Sequence, residues 1–572
     1  MANIQLNRKP AKKRSLAARV VLVLLAVISG IIFWLYPFAS PVKEDYFSGE
    51  NPIIFEGKQD GNAWTDNGNV YLPLSLLQEK LDDSIVFDER SQSIILTTKN
   101  KVVQMPTDAL SYYVNSKPVE LQLPAAMNKS GGLYISIEEI RRYYPLAYTV
   151  LEDTGAIWIQ KDGETVQKAI IRDQDISKER LRLRTEPDLQ SPYTADAEAN
   201  EELYIEETKG EYYFARKSDG RAGYIKKEYV IKGEQTEVSV KVEEYKPELK
   251  KIDGPIHLTW EAVYSENPDH AALPSMPGVN VVSPTWFELA GEDGSVKNLG
   301  SGDYVKWAHG RGYQVWGLFS NAFDAELTHQ TFKDFETRQK IIRSLLHYSQ
   351  IYKLDGINLD IENVNQEDGP LVTQFVREAT PYFHQAGLTV SMDITFISSS
   401  GNWSAFYERD KLAGIVDYLA VMAYDEHWAT SPVAGSVASL PWVESNLQAL
   451  LEVVPKEKLI LGVPLYARLW EEKDEGGISS EALSMEQVKE WLTETGAVPV
   501  YDEASGQNYA EYYSVKDKAT YKIWLEDEMS LRKRAEIADR HGLAGVGSWS
   551  RYFADQSAWL ALSPGTGQAA KK

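Results

Sequence analysis

Residues 354–363 read Leu354-Asp355-Gly356-Ile357-Asn358-Leu359-Asp360-Ile361-Glu362-Asn363, and the alternation within them decides the fold. Side chains along a strand point to opposite faces in turn. Asn358, Asp360 and Glu362 therefore share one face, and Ile357, Leu359 and Ile361 share the other. A surface strand also alternates. This segment, however, sits in a series of apolar runs separated by helical stretches, which predicts a parallel strand covered by helices. Carboxylates aimed into such a sheet are costly unless they are used, so Asp360 and Glu362 are read as chemistry.

Working outward, the strand–helix pattern repeats from residue 252 onward. Apolar runs occur at 256–260, 279–283, 313–319, 356–361, 388–394, 418–422, 459–464 and 545–549, with helical stretches between most of them, such as 332–352 and 370–386. Eight strands with intervening helices in about 310 residues predict a (β/α)8 TIM barrel over 253–563. The connection between strands seven and eight is long, so residues 469–523 are expected to form an inserted subdomain.

Catalysis in such a barrel takes place at the C-terminal ends of the strands. Those ends carry Asp360 and Glu362 on strand four, Met422, Tyr424 and Asp425 on strand six, and Tyr466 and Arg468 after strand seven. Trp549 ends strand eight, and Pro284-Thr285-Trp286-Phe287 ends strand two.

With 83 acidic residues in 572, a fixed three-acid pattern recurs roughly once or twice by chance, so the set carries more weight than the spacing. The stretch resembles the DxxDxDxE signature of glycoside hydrolase family 18, the family of chitinases and spore-cortex-lytic N-acetylglucosaminidases. Asp355, Asp360 and Glu362 match it, and Asn358 stands where the signature has its middle Asp. Met422-Ala423-Tyr424-Asp425 resembles the family's MxYD, and the insertion resembles the α/β subdomain that walls the groove in many members.

The resemblance implies substrate-assisted retaining hydrolysis, in which the sugar's own 2-acetamido group is the nucleophile. Glu362 is then the general acid and later the base, and Asp360 accepts the acetamido N–H and stabilises the oxazolinium ion. Tyr424 donates to the acetamido oxygen, and Asp425 binds the distorted sugar. Trp549 floors the pyranose, with Asn358, Met422, Tyr466, Arg468 and Trp286 as further substrate-binding residues. No metal or organic cofactor is implied. In chitinases the Asp matching Asn358 can share a proton with its neighbour; Asn cannot, so Asp360 is expected to stay ionised more uniformly. The tripeptide Glu426-His427-Trp428 resembles the spore-cortex-lytic branch. The expected function is hydrolysis of β-1,4 bonds in an N-acetylglucosamine-containing glycan, peptidoglycan above all. The alternatives are a chitinase or chitooligosaccharidase, and a non-catalytic glycan-binding or assembly protein.

The length predicts several domains. A net charge of −23 argues against nucleic acid as a partner and against tight adhesion to anionic wall polymers. Cysteine is absent, which excludes disulfides and thiolate metal sites. Six cations in residues 1–19 precede an uncharged run over 20–39. Twenty helical residues span ~30 Å, the thickness of a bilayer core. The expectation is a cytoplasmic basic segment, a single transmembrane helix and an extracellular catalytic domain; the alternative is a secreted protein after signal cleavage.

Residues 50–162 contain an internal repeat at an offset of 63, each copy reading as strand, helix and two strands. They resemble the N-terminal domain of copper amine oxidases, a non-catalytic α+β module. The region holds no His or Cys, so copper chemistry does not follow. Residues 168–232 read as a small all-β domain, and Leu181-Arg182-Leu183-Arg184 and Gly223-Tyr224-Ile225 resemble the opening and close of bacterial SH3-type repeats. Residues 233–252 read as a charged linker.

Overall fold

The structure, a computed structural model, describes residues 16–35, 39–173, 176–241 and 245–563. The chain divides into two compact units, Met1–Asp83 with Ala125–Glu243, and Ser84–Pro124 with Glu244–Lys572.

The second unit is built on a closed parallel barrel. Its strands are β1 (Ile256–Glu261), β2 (Val281–Pro284), β3 (Gln314–Ser320), β4 (Gly356–Asp360), β5 (Thr389–Thr395), β6 (Tyr418–Met422), β7 (Leu459–Pro464) and β8 (Gly545–Trp549). Each pairs in parallel with the next, and β1 pairs with β8 to close the ring. Ile357, Leu359 and Ile361 pack outward into the layer between sheet and helices, as the alternation predicts. Leu258, Trp260, Trp316, Leu318 and Ile460 fill the inside. Gly547 makes room for that filling, since a Cβ there would lie 2.9 Å from the Trp260 ring.

The helical stretch expected over 332–352 is two helices, Ala325–Phe332 and Phe335–Tyr352. Asp334 divides them: its carboxylate accepts the Thr337 N–H at 2.9 Å and starts a new helix. The second of these is tied to Gly369–Gln385 by Arg338, whose guanidinium donates to both oxygens of Glu378 at 3.0 and 2.7 Å. After β7 the chain makes a five-stranded antiparallel sheet from Tyr466–Lys473, Ile478–Ser484, Val500–Asp502, Gln507–Ser514 and Ala519–Trp524, with the helix Met485–Thr495. The insertion thus starts within the segment that carries Tyr466 and Arg468.

Residues 84–124 form a five-stranded antiparallel meander that packs on the barrel's helical layer. Ile95 and Val102 close over Phe335, and the Phe335 N–H donates to Asp88 at 2.9 Å.

In the first unit, Asn69–Pro73 leads into the helix Leu74–Lys80 and Gly132–Ser136 into Ile137–Ile140, and the two strands pair with each other. The copies then diverge. Leu146–Leu151 and Ala156–Lys161 of the second join a sheet with Pro52–Phe55, whereas Val86–Asp88 and Ser93–Thr97 of the first open the meander of the other unit. The all-β part is a seven-stranded antiparallel sheet running from Thr165–Ile171 to Val230–Glu237. Its last strand occupies the start of the linker expected over 233–252, because its backbone pairs with Thr165–Ile171.

The membrane expectation is corrected. Among the described residues, no helix is long and apolar enough to cross a membrane. The N-terminal helix is Leu16–Leu35 and holds Arg19 near its start. The uncharged part beyond that arginine is about 24 Å long, short of the ~30 Å hydrocarbon core. The basic segment expected at 1–19 lies outside the described residues as far as residue 15.

Candidate active site

Asp360 and Glu362 stand at the C-terminal end of β4, on the wall of a cleft of about 380 Å³. Asp393, Met422, Tyr424, Asp425 and Trp549 line the same cleft. Strands four, five, six and eight of the ring therefore converge on one point, as expected from the C-terminal location of barrel sites.

Electrostatics separates these acids from ordinary surface carboxylates. Burial raises the Asp360 carboxyl to about 7, and its Oδ1 has no hydrogen-bond partner among the described residues. Glu362 is pushed well above the usual carboxylate range, first by burial and then by the charges of Asp360, Asp393 and Asp425. Both effects favour its protonated form. The Tyr424 phenol is also raised, by burial and then by Asp393, and it stays a hydrogen-bond donor.

The backbone under Glu362 is clamped. Asn321, beyond the end of β3, accepts the Glu362 N–H at 3.0 Å and donates to the Glu362 carbonyl at 2.7 Å. Its amide also donates to Thr328 Oγ1 at 2.8 Å, and the Tyr407 hydroxyl donates to the Ile361 carbonyl at 2.8 Å. Asn321→Ala removes both ends of the clamp. It should destabilise the fold by about 1–3 kcal/mol and lower kcat about tenfold by loosening the acid's position. Thermal melts and steady-state rates check this, and an unchanged kcat would show that the clamp does not position Glu362.

The other sequence-selected residues fall into two groups. Met422, Tyr424, Asp425 and Trp549 face the cleft, as does Trp286 at its edge. Trp286 is only 1% exposed and donates its indole N–H to Asn267 at 2.6 Å, so it is mainly a wall. Tyr466 and Arg468 direct their donors to Asp425 Oδ1 at 2.7 and 3.2 Å. Asp425 has φ 61°, a left-handed backbone that a non-glycine residue adopts at a cost, and these two bonds hold its side chain. Asn358 is buried behind the cleft. It accepts from Trp260 Nε1 at 2.9 Å and Ser283 Oγ at 3.0 Å and donates to Asp393 Oδ1 at 2.8 Å. Asp355 lies at the opposite end of the barrel, where it accepts from the Val315 N–H at 2.8 Å and meets Lys250 and His309 at 2.7 Å each.

Asp393 and Asn321 did not emerge from the sequence reading. An acid in the apolar run of β5, on the face opposite Val390, Met392 and Ile394, was the available signal for Asp393. Aromatics on the strand-end loops were also missed: Tyr264 after β1, Phe323 after β3 and Trp403 after β5 are exposed, as is Trp428 after β6, which the sequence had marked only within its tripeptide.

Residues 321–554 match the profile of glycosyl hydrolases family 18. This segment is a family 18 glycoside hydrolase domain. Residues 54–159 match the copper amine oxidase N-terminal domain. The glycosylase YvbX of Bacillus subtilis (strain 168) is 26% identical over 46% of this chain and 78% of its own length. The cortical fragment-lytic enzyme of the same organism is 23% identical over 44% of this chain and 58% of its length, so the similarity spans little more than half of that relative. Among solved structures, the Bacillus megaterium QM B1551 spore cortex-lytic enzyme SleL has a TM-score of 0.49 at 17% identity, covering 57% of this chain and 77% of that one. The family 18 segment contains β4 through β8 and every cleft acid described above.

Proposed function

We propose that the chain hydrolyses β-1,4 bonds in an N-acetylglucosamine-containing glycan, of peptidoglycan type, by substrate-assisted retaining catalysis. The observation that carries this reading is one cleft that holds Glu362, whose protonated form is favoured by burial and by the neighbouring charges, together with buried Asp360 and the Tyr424 phenol. Glu362 gives its proton to the departing glycosidic oxygen. The 2-acetamido carbonyl oxygen attacks the anomeric carbon, and the resulting oxazolinium is balanced by the carboxylate charge beside its N–H. Glu362, now a carboxylate, takes a proton from water as the water opens the ring with net retention. Tyr424 donates to the acetamido oxygen, Asp425 holds the distorted sugar, and Trp549 stacks under it.

The polymeric nature of the substrate is supported by the exposed aromatic loops, since Tyr264, Phe323, Trp403 and Trp428 offer faces on which further sugars stack. Similarity to a cortical fragment-lytic enzyme favours peptidoglycan over chitin. The matches to di-N-acetylchitobiases and to a class V chitinase keep the chitooligosaccharide reading as the second one.

Substrates with and without the acetamido group test the chemistry. Peptidoglycan strands and N-acetylglucosamine oligomers should be cleaved to β-anomers, and de-N-acetylated counterparts should react at least ~10²-fold more slowly because the nucleophile is gone. Equal rates on both would exclude substrate assistance, and mass analysis of the new reducing ends identifies the bond cut.

A further inference from the structure

We propose that Asp393 on β5 is the proton partner of Asp360, taking over on a neighbouring strand the place that Asn358 leaves without a carboxyl group. This rests on the glycosidase reading above and extends it to a residue that the signature does not contain.

The geometry follows from strand register. Asp360 and Asp393 are directly paired across β4 and β5, and side chains at paired positions of adjacent parallel strands point to the same face. Both face the cleft, and they are 8% and 2% exposed. Two buried carboxylates at paired positions of adjacent strands disfavour the doubly charged form, so they hold a proton in common. The groups facing the pair are Glu362 on its own strand, the Tyr424 phenol and Asp425 beyond β6, and the Tyr407 phenol behind Ile361, with Arg409 over that ring. No cation touches either carboxylate among the described residues.

Asn358 fixes the arrangement. Its carbonyl is occupied by Trp260 and Ser283, which orients its amide N–H toward Asp393. Asp360 receives no such donor among the described residues, its Oδ1 being buried and unpartnered, so the acetamido N–H of a bound sugar supplies a donor that this carboxyl group lacks. When that N–H arrives it favours the ionised form of Asp360, and the shared proton passes to Asp393. No proton is gained or lost overall. Glu362 then carries out its transfer next to one negative charge rather than two.

The expected signatures follow in sign. The alkaline limb of the kcat/KM profile reports loss of the Glu362 proton, and once rising pH has removed the shared proton the Asp393 charge adds to that of Asp360 and pushes that limb upward. Asp393→Asn should therefore move the alkaline limb to lower pH and reduce kcat by about tenfold to a hundredfold, with little change in KM. The exchange variant Asn358→Asp with Asp393→Asn returns a carboxyl to the other strand. Its hydrogen bonds remain satisfiable, because the carboxylate introduced at position 358 accepts from Trp260, from Ser283 and from the amide introduced at position 393. It should recover kcat over the single variant and move the alkaline limb back toward wild type.

The measurement is the pH–rate profile of the full chain on N-acetylglucosamine oligomers, with thermal melts alongside. A wild-type profile in Asp393→Asn would overturn the assignment, as would a folded exchange variant no better than the single one. Failure of both to fold would show the pair to be structural and would equally overturn it. Glu362→Gln run in parallel separates the two levels. If it stays fully active, the glycosidase reading fails; if it is inactive while Asp393→Asn is normal, only this inference fails.

Discussion

Glu362→Gln should lower turnover of the glycan by ~10²–10⁴-fold, the loss expected when a general acid is removed. The amide keeps the shape of the carboxyl group and the Asn321 clamp on the backbone, so substrate binding should persist and KM should change little. Stability gives a second readout with a defined sign. The folded-state value of Glu362 lies well above its ordinary one, so folded wild type binds more protons than the unfolded chain from about pH 4 upward. Its contribution to stability is then lost as pH rises through that interval. Gln cannot ionise, so the variant should melt higher than wild type at neutral pH and converge with it in acid. Wild-type turnover in this variant would remove Glu362 from the acid's role. A lower melting temperature at neutral pH would contradict its burial as a neutral group.

Asp360→Asn should be nearly as damaging, with kcat reduced by about 10²–10³-fold, because the charge that balances the oxazolinium disappears. Its pH profile should also change. Loss of the Asp360 charge lowers the proton affinity of Glu362, so the residual activity should fall off at lower pH than in wild type. The effect should exceed that of Asp393→Asn, since Asp360 touches the acetamido group and Asp393 acts through it. Comparing the two variants on one oligomeric substrate checks the order. A larger defect in Asp393→Asn would reverse the roles of the pair.

The barrel was legible in the sequence because each strand is a short apolar run buried on both faces, and such runs are local in the chain. The eight predicted segments and the observed strands differ at their ends by no more than three residues. The helix break at Asp334 is also local in origin, but the run of apolar positions across 332–352 hid it, and only the cap geometry exposed it. The internal repeat was visible as well, yet its two copies went to different sheets, one of them in the barrel's unit. Self-similarity sets which segments become strands. It does not set which edge each strand finds.

The cleft divides along the same line. Asp360, Glu362, Tyr424, Asp425 and Trp549 lie at strand ends, and the barrel rule alone brings strand ends together. Arg468 and Tyr466 were expected from their position after strand seven, and their contact with Asp425 depends on the path of the insertion after β7. Asn358 reads in sequence as a lost carboxyl group. Asp393 reads as an isolated acid in an apolar strand, 35 residues downstream of it. They become one hydrogen-bonded pair only because parallel register sets β5 against β4, with Asp393 level with Asp360. The sequence by itself determined the strands and the strand-end positions of the acids, since these follow from periodicity, and its resemblance to family 18 supplied the expected chemistry. Register and side-chain packing, which join residues distant in the chain, decided which carboxylates share a proton and how Glu362 is held.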